Sequence, residues 1–265
     1  MKTVAIAGLG AIGLMLARRL DAGVDGLRLV AVSAGDLDRA RRTVADFRSV
    51  PSVVPAAELA QADIVVEAAP SAAFDAIAIP AIEAGRIFVP SSVAALLTRM
   101  HLIERARATS ARIVVPTGAI LGLDAVRASA EGHVASVSIE TRKPPRGLVG
   151  APYLVLHGID VLAITTPTLI FEGTVLEAAA GFPANVNVAA AVALAGIGPE
   201  RTTSRIWCDP GVDRNIQTIK VEADAARFTM TIENVPSENP RTGRLAPLSV
   251  LACLRGLVST LKVGS

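Results

Sequence analysis

The stretch TVAIAGLGAIG, Thr3 to Gly13, decides how the fold is read. Thr3 to Ala7 is a short apolar run entering Gly8, and from Ala11 to Leu20 apolar residues recur at helical spacing until Asp21, Ala22 and Gly23 close the segment. Strand, glycine turn and helix therefore follow one another, and Gly8-Leu9-Gly10-Ala11-Ile12-Gly13 places a GxGxxG on the turn. In that context the first glycine permits the tight turn, the second lets backbone approach a pyrophosphate, and the third allows close helix-to-strand packing. Gly8, Gly10, Ala11, Ile12 and Gly13 are thus expected to bind a dinucleotide. The same residues would also suit a glycine-rich turn in a domain that binds none.

Outward from this turn, strand and helix keep alternating. Leu27 to Val32 reads as a second strand, Asp36 as the cap of a helix through Asp38 to Phe47, and Ile64 to Glu67 as the next strand. Ser71 is placed to cap the following helix, Ile87 to Pro90 leads into Ser91 and Ser92, and Arg112 to Val115 adds a last strand. The pattern predicts an α/β protein whose N-terminal domain, residues 1–115, is a doubly wound parallel Rossmann sheet. Beyond Pro116 strand-like alternation dominates, in Ala135 to Arg142, Leu169 to Glu172, Thr203 to Cys208, Asn215 to Ala223 and Phe228 to Val235. Residues 116–239 are therefore expected to form a second, α+β domain. Thr174 and Glu177 have capping-box spacing for a helix that restarts after Pro183 toward Ala195. A helix from Leu248 to Leu261, within residues 240–265, is expected to pack back on the first domain.

Composition narrows the function. The chain has 265 residues, 51% hydrophobic and 19% charged, which suits folded domains rather than disorder. Lys plus Arg number 26 against 24 Asp plus Glu, and aromatics are 3%, which argues against phosphate-backbone neutralisation and base stacking, so no nucleic-acid partner is expected. Mean hydropathy is +0.50, but Arg18, Asp63, Glu67, Glu83, His157, Asp160 and Glu172 interrupt the apolar runs before spanning length, so no membrane partner is expected and the protein reads as cytoplasmic. Cys208 and Cys253 lack CxxC spacing, and His101, His133 and His157 form no metal motif, so no metal is expected.

An acid about 20 residues beyond the glycine motif ordinarily takes the ribose 2'-hydroxyl of NAD. Counting from Gly13 reaches Ser33 instead. Asp36 and Asp38 lie slightly further on, and Arg39, Arg41 and Arg42 could meet a 2'-phosphate or form a solvated helix face. The expected cofactor is NAD(P), leaning to NADP.

GLGAIG, DIVVEAAP (Asp63 to Pro70), SVAAL (Ser92 to Leu96), PTGAILGLDA (Pro116 to Ala125), TRKPP (Thr141 to Pro145), FPANVNVAAA (Phe182 to Ala191), the Asp209-Pro210 pair, and ENP followed by RTGRLAPLSV occur in this order. Together they resemble the L-aspartate dehydrogenase family over nearly the whole chain. The resemblance implies an NAD(P)-dependent enzyme interconverting L-aspartate and iminoaspartate, a C-terminal domain that forms a homodimer, and a role supplying NAD biosynthesis. It implies cofactor contacts at Ala119 and Asn187. Helix capping remains an alternative for Asn185 and Asn187.

In that family an Asn-x-His-x-hydrophobic pattern follows the Asp-Pro pair and its His is the proposed acid/base, whereas this chain reads Asn215-Ile216-Gln217-Thr218-Ile219. Strand parity puts Gln217 on the face of Ile219, Val221 and Ala223, pointing inward, and an amide cannot exchange a proton near neutral pH. Gln217 therefore occupies the catalytic position with an altered role, and Lys143 or Asp209 becomes the candidate for proton transfer. The alternative is a cofactor-binding homologue with lost or altered catalysis. A dicarboxylate needs cations, for which Arg142, Lys143, Arg241 and Arg244 are candidates, with Asn185 as a further substrate contact. The many apolar β-type segments beyond residue 135 are expected to leave an apolar sheet face, covered in a homodimer.

Overall fold

The computed structural model describes residues 1–235 and 243–264. The chain divides into two compact units, Met1–Pro116 with Pro247–Val263, and Thr117–Ala246 with the terminal pair. In the first unit β1 (Lys2–Ala7), β2 (Leu27–Ser33), β3 (Ser52–Val53), β4 (Ile64–Glu67), β5 (Ile87–Pro90) and β6 (Arg112–Ile113) form one sheet in the order β3-β2-β1-β4-β5-β6. Every pair is parallel. Helices α1 (Ala11–Ala22), α2 (Leu37–Val44), α3 (Phe74–Glu83), α4 (Ala94–Leu97) and α5 (His101–Thr109) make the connections. Val4 to Ala7 and Ile64 to Glu67 are buried at every position, as strands covered on both faces must be. The chain builds outward from β1 through β2 to β3, then returns to β4 on the other side. That reversal is the switch point at which open α/β sheets take ligands.

Local chemistry shifts some boundaries. Asp36 does cap α2, its carboxylate accepting from Arg39 N at 2.8 Å, but the helix ends at Val44 and Phe47 turns into the core instead. Ser71 caps nothing: residues 71–73 form a single tight turn and α3 begins at Phe74 without a side-chain cap. The crossover from β5 to β6 that the alternation implies is made by two helices, α4 and α5.

The second unit contains α6 (Leu123–Ala130), β7 (Val134–Lys143), α7 (Pro152–Leu156), β8 (Thr168–Thr174), α8 (Val175–Gly181), α9 (Asn187–Ala195), β9 (Thr202–Cys208), β10 (Asn215–Ala223) and β11 (Arg227–Asn234). The sheet runs β11-β10-β7-β9-β8, with β7 and β9 parallel and the other pairs antiparallel. The capping box at α8 is complete: Glu177 N donates to Thr174 Oγ1 at 3.1 Å and Thr174 N to Glu177 Oε2 at 2.7 Å. Alternation sorts the residues of β7 and β9: Val137, Ile139, Thr141 and Lys143 with Ser204, Ile206 and Cys208 are buried, and α9 and α8 pack on these strands. The alternate positions, Ser138, Glu140, Arg142, Thr203, Arg205 and Trp207, are only half-buried. This second face is largely polar, which corrects the expectation of an apolar one, because Ser, Thr, Glu and Arg occupy most of the alternate places, with Trp207 among them.

After β11 the chain returns to the first unit in α10 (Leu245–Gly256), which starts earlier and stops sooner than its apolar stripe indicates. Val250, Leu251 and Leu254 join Val4, Ile6, Leu16, Val32 and Ile64 in one core cluster.

Candidate active site

In the first unit the site is made by backbone. Gly8 follows β1 with φ +90°, and a Cβ there would stand 2.4 Å from the Ala68 carbonyl oxygen. A Cβ on Gly13 would stand 1.9 Å from the Gly8 carbonyl oxygen, so only glycine lets α1 lie this close to the turn. Gly10 differs, since a Cβ there would meet nothing within 4 Å. It is the N-cap of α1, with no side chain capping the helix and no acid in the first turn. The first N–H groups of α1, at Ala11, Ile12 and Gly13, lie at the helix's positive end, where an anion is favoured. This cradle fits a dinucleotide's pyrophosphate.

Ser33 ends β2, 4% exposed, with its carbonyl accepting from Gly8 N at 2.7 Å. Asp36 is committed to capping, and its hydrogen bond from Arg39 N holds its carboxyl below the ordinary value. Arg41 pairs with Asp38 at 2.6 Å. At the end of β4 stands a group the sequence reading did not single out. Glu67 is fully buried, accepting from Ala69 N (3.0 Å) and Ser92 Oγ (3.0 Å) on Oε1 and from Ser92 N (2.9 Å) on Oε2. Burial pushes its carboxyl up, against the pull of those donors. Its signal was available: an acid closing an otherwise apolar parallel strand.

In the second unit the site is made by side chains. Gln217 on β10 lies opposite Thr141 on β7, 3% exposed, and its Oε1 accepts from Thr141 Oγ1 at 2.7 Å. Two residues along the same face of β7, Lys143 is 4% exposed and donates from Nζ to Asn185 Oδ1 at 2.5 Å. Burial lowers the Lys143 ammonium from 10.5 to about 8. Asn185 is therefore a lysine partner and not a helix cap; the residue preceding α9 is Val186, and Asn187 opens the helix. Asn234, at the end of β11, faces Asn215 in register and donates from Nδ2 to the Ala119 carbonyl at 2.9 Å. Its Oδ1 is buried without a partner. Sequence reasoning missed Asn234, because its partner Ala119 lies 115 residues earlier in the chain.

Alternation separates Arg142 from this group. Its guanidinium lies on the other face, bonded to Asp209 Oδ2 at 3.0 Å and Glu140 Oε1 at 3.2 Å and stacked 4.8 Å over the Trp207 ring. Arg142 and Lys143 therefore point to opposite faces of β7, and Arg142 and Asp209 are paired with each other. Arg244 is exposed, and Arg241 lies outside the described residues. Beyond Lys143 a cavity of about 500 Å³ is lined by Pro144, Pro145, Arg146, Gly147, Leu162, Ile164, Pro210, Asp213 and Asn215. Arg146 in its wall is a cation the sequence reading passed over. His101, His133 and His157 are exposed. Among the described residues no helix is long and apolar enough to cross a membrane.

A parallel sheet with a glycine cradle at its switch point defines a dinucleotide-binding domain. Residues 8–116 match the homoserine dehydrogenase NAD-binding domain, and residues 124–257 match the aspartate dehydrogenase C-terminal domain. The chain belongs to the aspartate dehydrogenase family. It is 51% identical to an L-aspartate dehydrogenase of Bradyrhizobium diazoefficiens, covering 99% of this chain and 94% of the relative, and 50% identical to L-aspartate dehydrogenase 3 of Bordetella bronchiseptica, covering 99% and 97%. The crystal structure of aspartate dehydrogenase from Thermotoga maritima superposes with a TM-score of 0.75 at 27% identity, over 100% of both chains.

Proposed function

We propose that this chain oxidises L-aspartate to iminoaspartate with NAD(P), and in reverse reduces the imine formed from oxaloacetate and ammonia. The observation that carries this reading is the buried Lys143, whose ammonium is lowered to about 8 and whose Nζ is aimed by Asn185 on the sheet face that also bears Gln217. NAD(P), when bound, supplies the two-electron acceptor or donor. Oxidation first requires the substrate ammonium to lose a proton, and the neutral amine of Lys143 takes it, a task the Gln217 amide cannot perform. In reduction the protonated Lys143 returns that proton. Gln217, braced by Thr141, positions the substrate by hydrogen bonding, and Arg146 offers a partner for a carboxylate.

The cofactor contacts assigned to this function are the cradle Gly8, Gly10, Ala11, Ile12 and Gly13, with Ser33, Ala119 and Asn187. Ser33 in the place of an acid, with Arg39 and Arg42 nearby in sequence, supports a lean to NADP. The family resemblance supports a cytoplasmic homodimer that supplies NAD biosynthesis, with the polar sheet face as the dimer surface.

One observation favours a second reading. Gln217 is locked to Thr141 in the position that bears His in the family, which suits a cofactor-binding homologue with altered catalysis. A reductive screen separates the two: ammonia with oxaloacetate and a panel of other 2-oxo acids, each with NADH or NADPH. Turnover of oxaloacetate above the others supports the aspartate reading, while saturable cofactor binding without turnover of any 2-oxo acid supports the second.

A further inference from the structure

Glu67 presents a problem that packing does not solve. It is the last residue of β4, opposite Ala7 of β1 and Pro90 of β5, and its carboxylate is wholly buried. Its partners are Ala69 N, Ser92 N and Ser92 Oγ, all dipoles and none a cation. All three donate, which pulls the group toward its ionised form against the burial that raises it. A neutral side chain could brace the same two loops without burying a charge. What the carboxylate adds is a negative potential at the carboxyl end of the sheet, in surroundings that screen it little.

The topology says which part of a ligand meets that potential. A dinucleotide lies across the switch point with its pyrophosphate on the turn after β1. The residue in place to read the adenosine ribose, Ser33, ends β2 on one side of β1, so the nicotinamide half extends to the other side, toward β4 and Glu67. The oxidised nicotinamide ring carries a positive charge and the reduced ring is neutral.

We propose that Glu67 sets the redox preference of cofactor binding, its buried carboxylate favouring the oxidised nicotinamide over the reduced one. The inference rests on the first unit binding a nicotinamide dinucleotide, and it adds a specificity-determining residue to that reading. Glu67 also braces the cradle indirectly, because the Ala68 carbonyl beside it closes on Gly8. Bracing alone would affect both cofactor forms alike, whereas charge distinguishes them.

The test is the ratio of dissociation constants for NADH and NAD, measured by fluorescence titration and calorimetry on the full chain without substrate. Glu67→Gln and Glu67→Ala remove the charge; the alanine avoids setting an amide N–H against Ser92 N–H. Ser92→Ala loosens the same loop and keeps the charge. In either neutral variant that retains the wild-type circular dichroism, NAD should weaken relative to NADH by about threefold or more. Ser92→Ala should keep the wild-type ratio. Equal weakening of both forms overturns the inference and leaves Glu67 as a brace, with the cofactor reading intact. Failure of folded wild-type protein to bind either form overturns the cofactor reading and the inference together. Should neither neutral variant fold, the wild-type ratio itself decides: NAD bound more tightly than NADH supports the inference, and NADH bound more tightly overturns it.

Discussion

The two units build their candidate sites from opposite materials. In the first, the central strands are buried and mostly apolar, and the ligand surface is backbone: a turn, a helix end and the glycines that let them approach. In the second, strands alternate, and the surface is a set of side chains paired across long stretches of chain: Thr141 with Gln217, Lys143 with Asn185, and Asn234 with the Ala119 carbonyl. A backbone site is specified by spacing along one segment, and a side-chain site by pairings between distant ones. Substitutions should accordingly act on affinity and packing in the first unit and on turnover in the second.

The largest effect is expected at Lys143. Lys143→Met should lower kcat for L-aspartate oxidation by about 10²-fold to 10⁴-fold while cofactor affinity stays within a factor of about two. In the wild type, oxidation should rise with pH through about 8, where the neutral amine forms. Stability follows the same group. The ammonium titrates at about 8 in the folded chain and near 10.5 unfolded, so between those values the unfolded chain binds the extra proton and stability rises with pH. Thermal denaturation of the Met variant should lack that rise, and a rise of equal size in both proteins would assign it elsewhere.

Gln217→His comes next. It restores a titratable group beside Thr141 and should raise aspartate oxidation by about 10²-fold, more than it raises imine reduction. A folded, cofactor-binding variant with no gain would mean that the pocket has diverged beyond one residue.

The glycines sharpen the contrast within the first unit. Gly13→Ala drives a methyl into the Gly8 carbonyl and should cost about 3 kcal/mol of stability, read as a lowered Tm. Gly10→Ala meets open space and should leave the Tm within about 2 °C while weakening the dinucleotide roughly tenfold, since the methyl takes up room at the helix end. Similar behaviour of the two variants would remove the distinction between packing and ligand-facing glycines. The smallest effect belongs to Arg39 and Arg42: replacing both by Ala should reduce the NADP-to-NAD affinity ratio about threefold, measured by titration at low salt. An unchanged ratio would leave these arginines as a solvated helix face.

The same contrast explains what could be read in advance. The parallel sheet, the switch point and the cradle follow from one glycine spacing and a regular alternation, and β10, Asn215 to Ala223, follows from its own two-residue period. Gln217 turned inward as parity required. The two-residue period through Val137, Ile139 and Thr141 puts Lys143 rather than Arg142 on the buried face, but its partner Asn185, 42 residues on, and its lowered ammonium did not follow. Arg142 went to the other face, to Asp209, a partner 67 residues away. The Glu67 environment depends likewise on Ser92, 25 residues on, reached only through the sheet.

The return of the chain in α10 also imposes an order of assembly. Val250, Leu251 and Leu254 complete the core that contains Val4, Ile6 and Leu16, so the first unit cannot seal its hydrophobic surface when its own 116 residues leave the ribosome. It must wait for the helix, roughly 7–28 s later at ordinary elongation speeds. The second unit, nearly contiguous from Thr117 to Ala246, has its whole sheet in hand before that helix emerges. The segment synthesised first is thus the one finished last, and during translation its unsealed parallel strands are the surface a chaperone would hold.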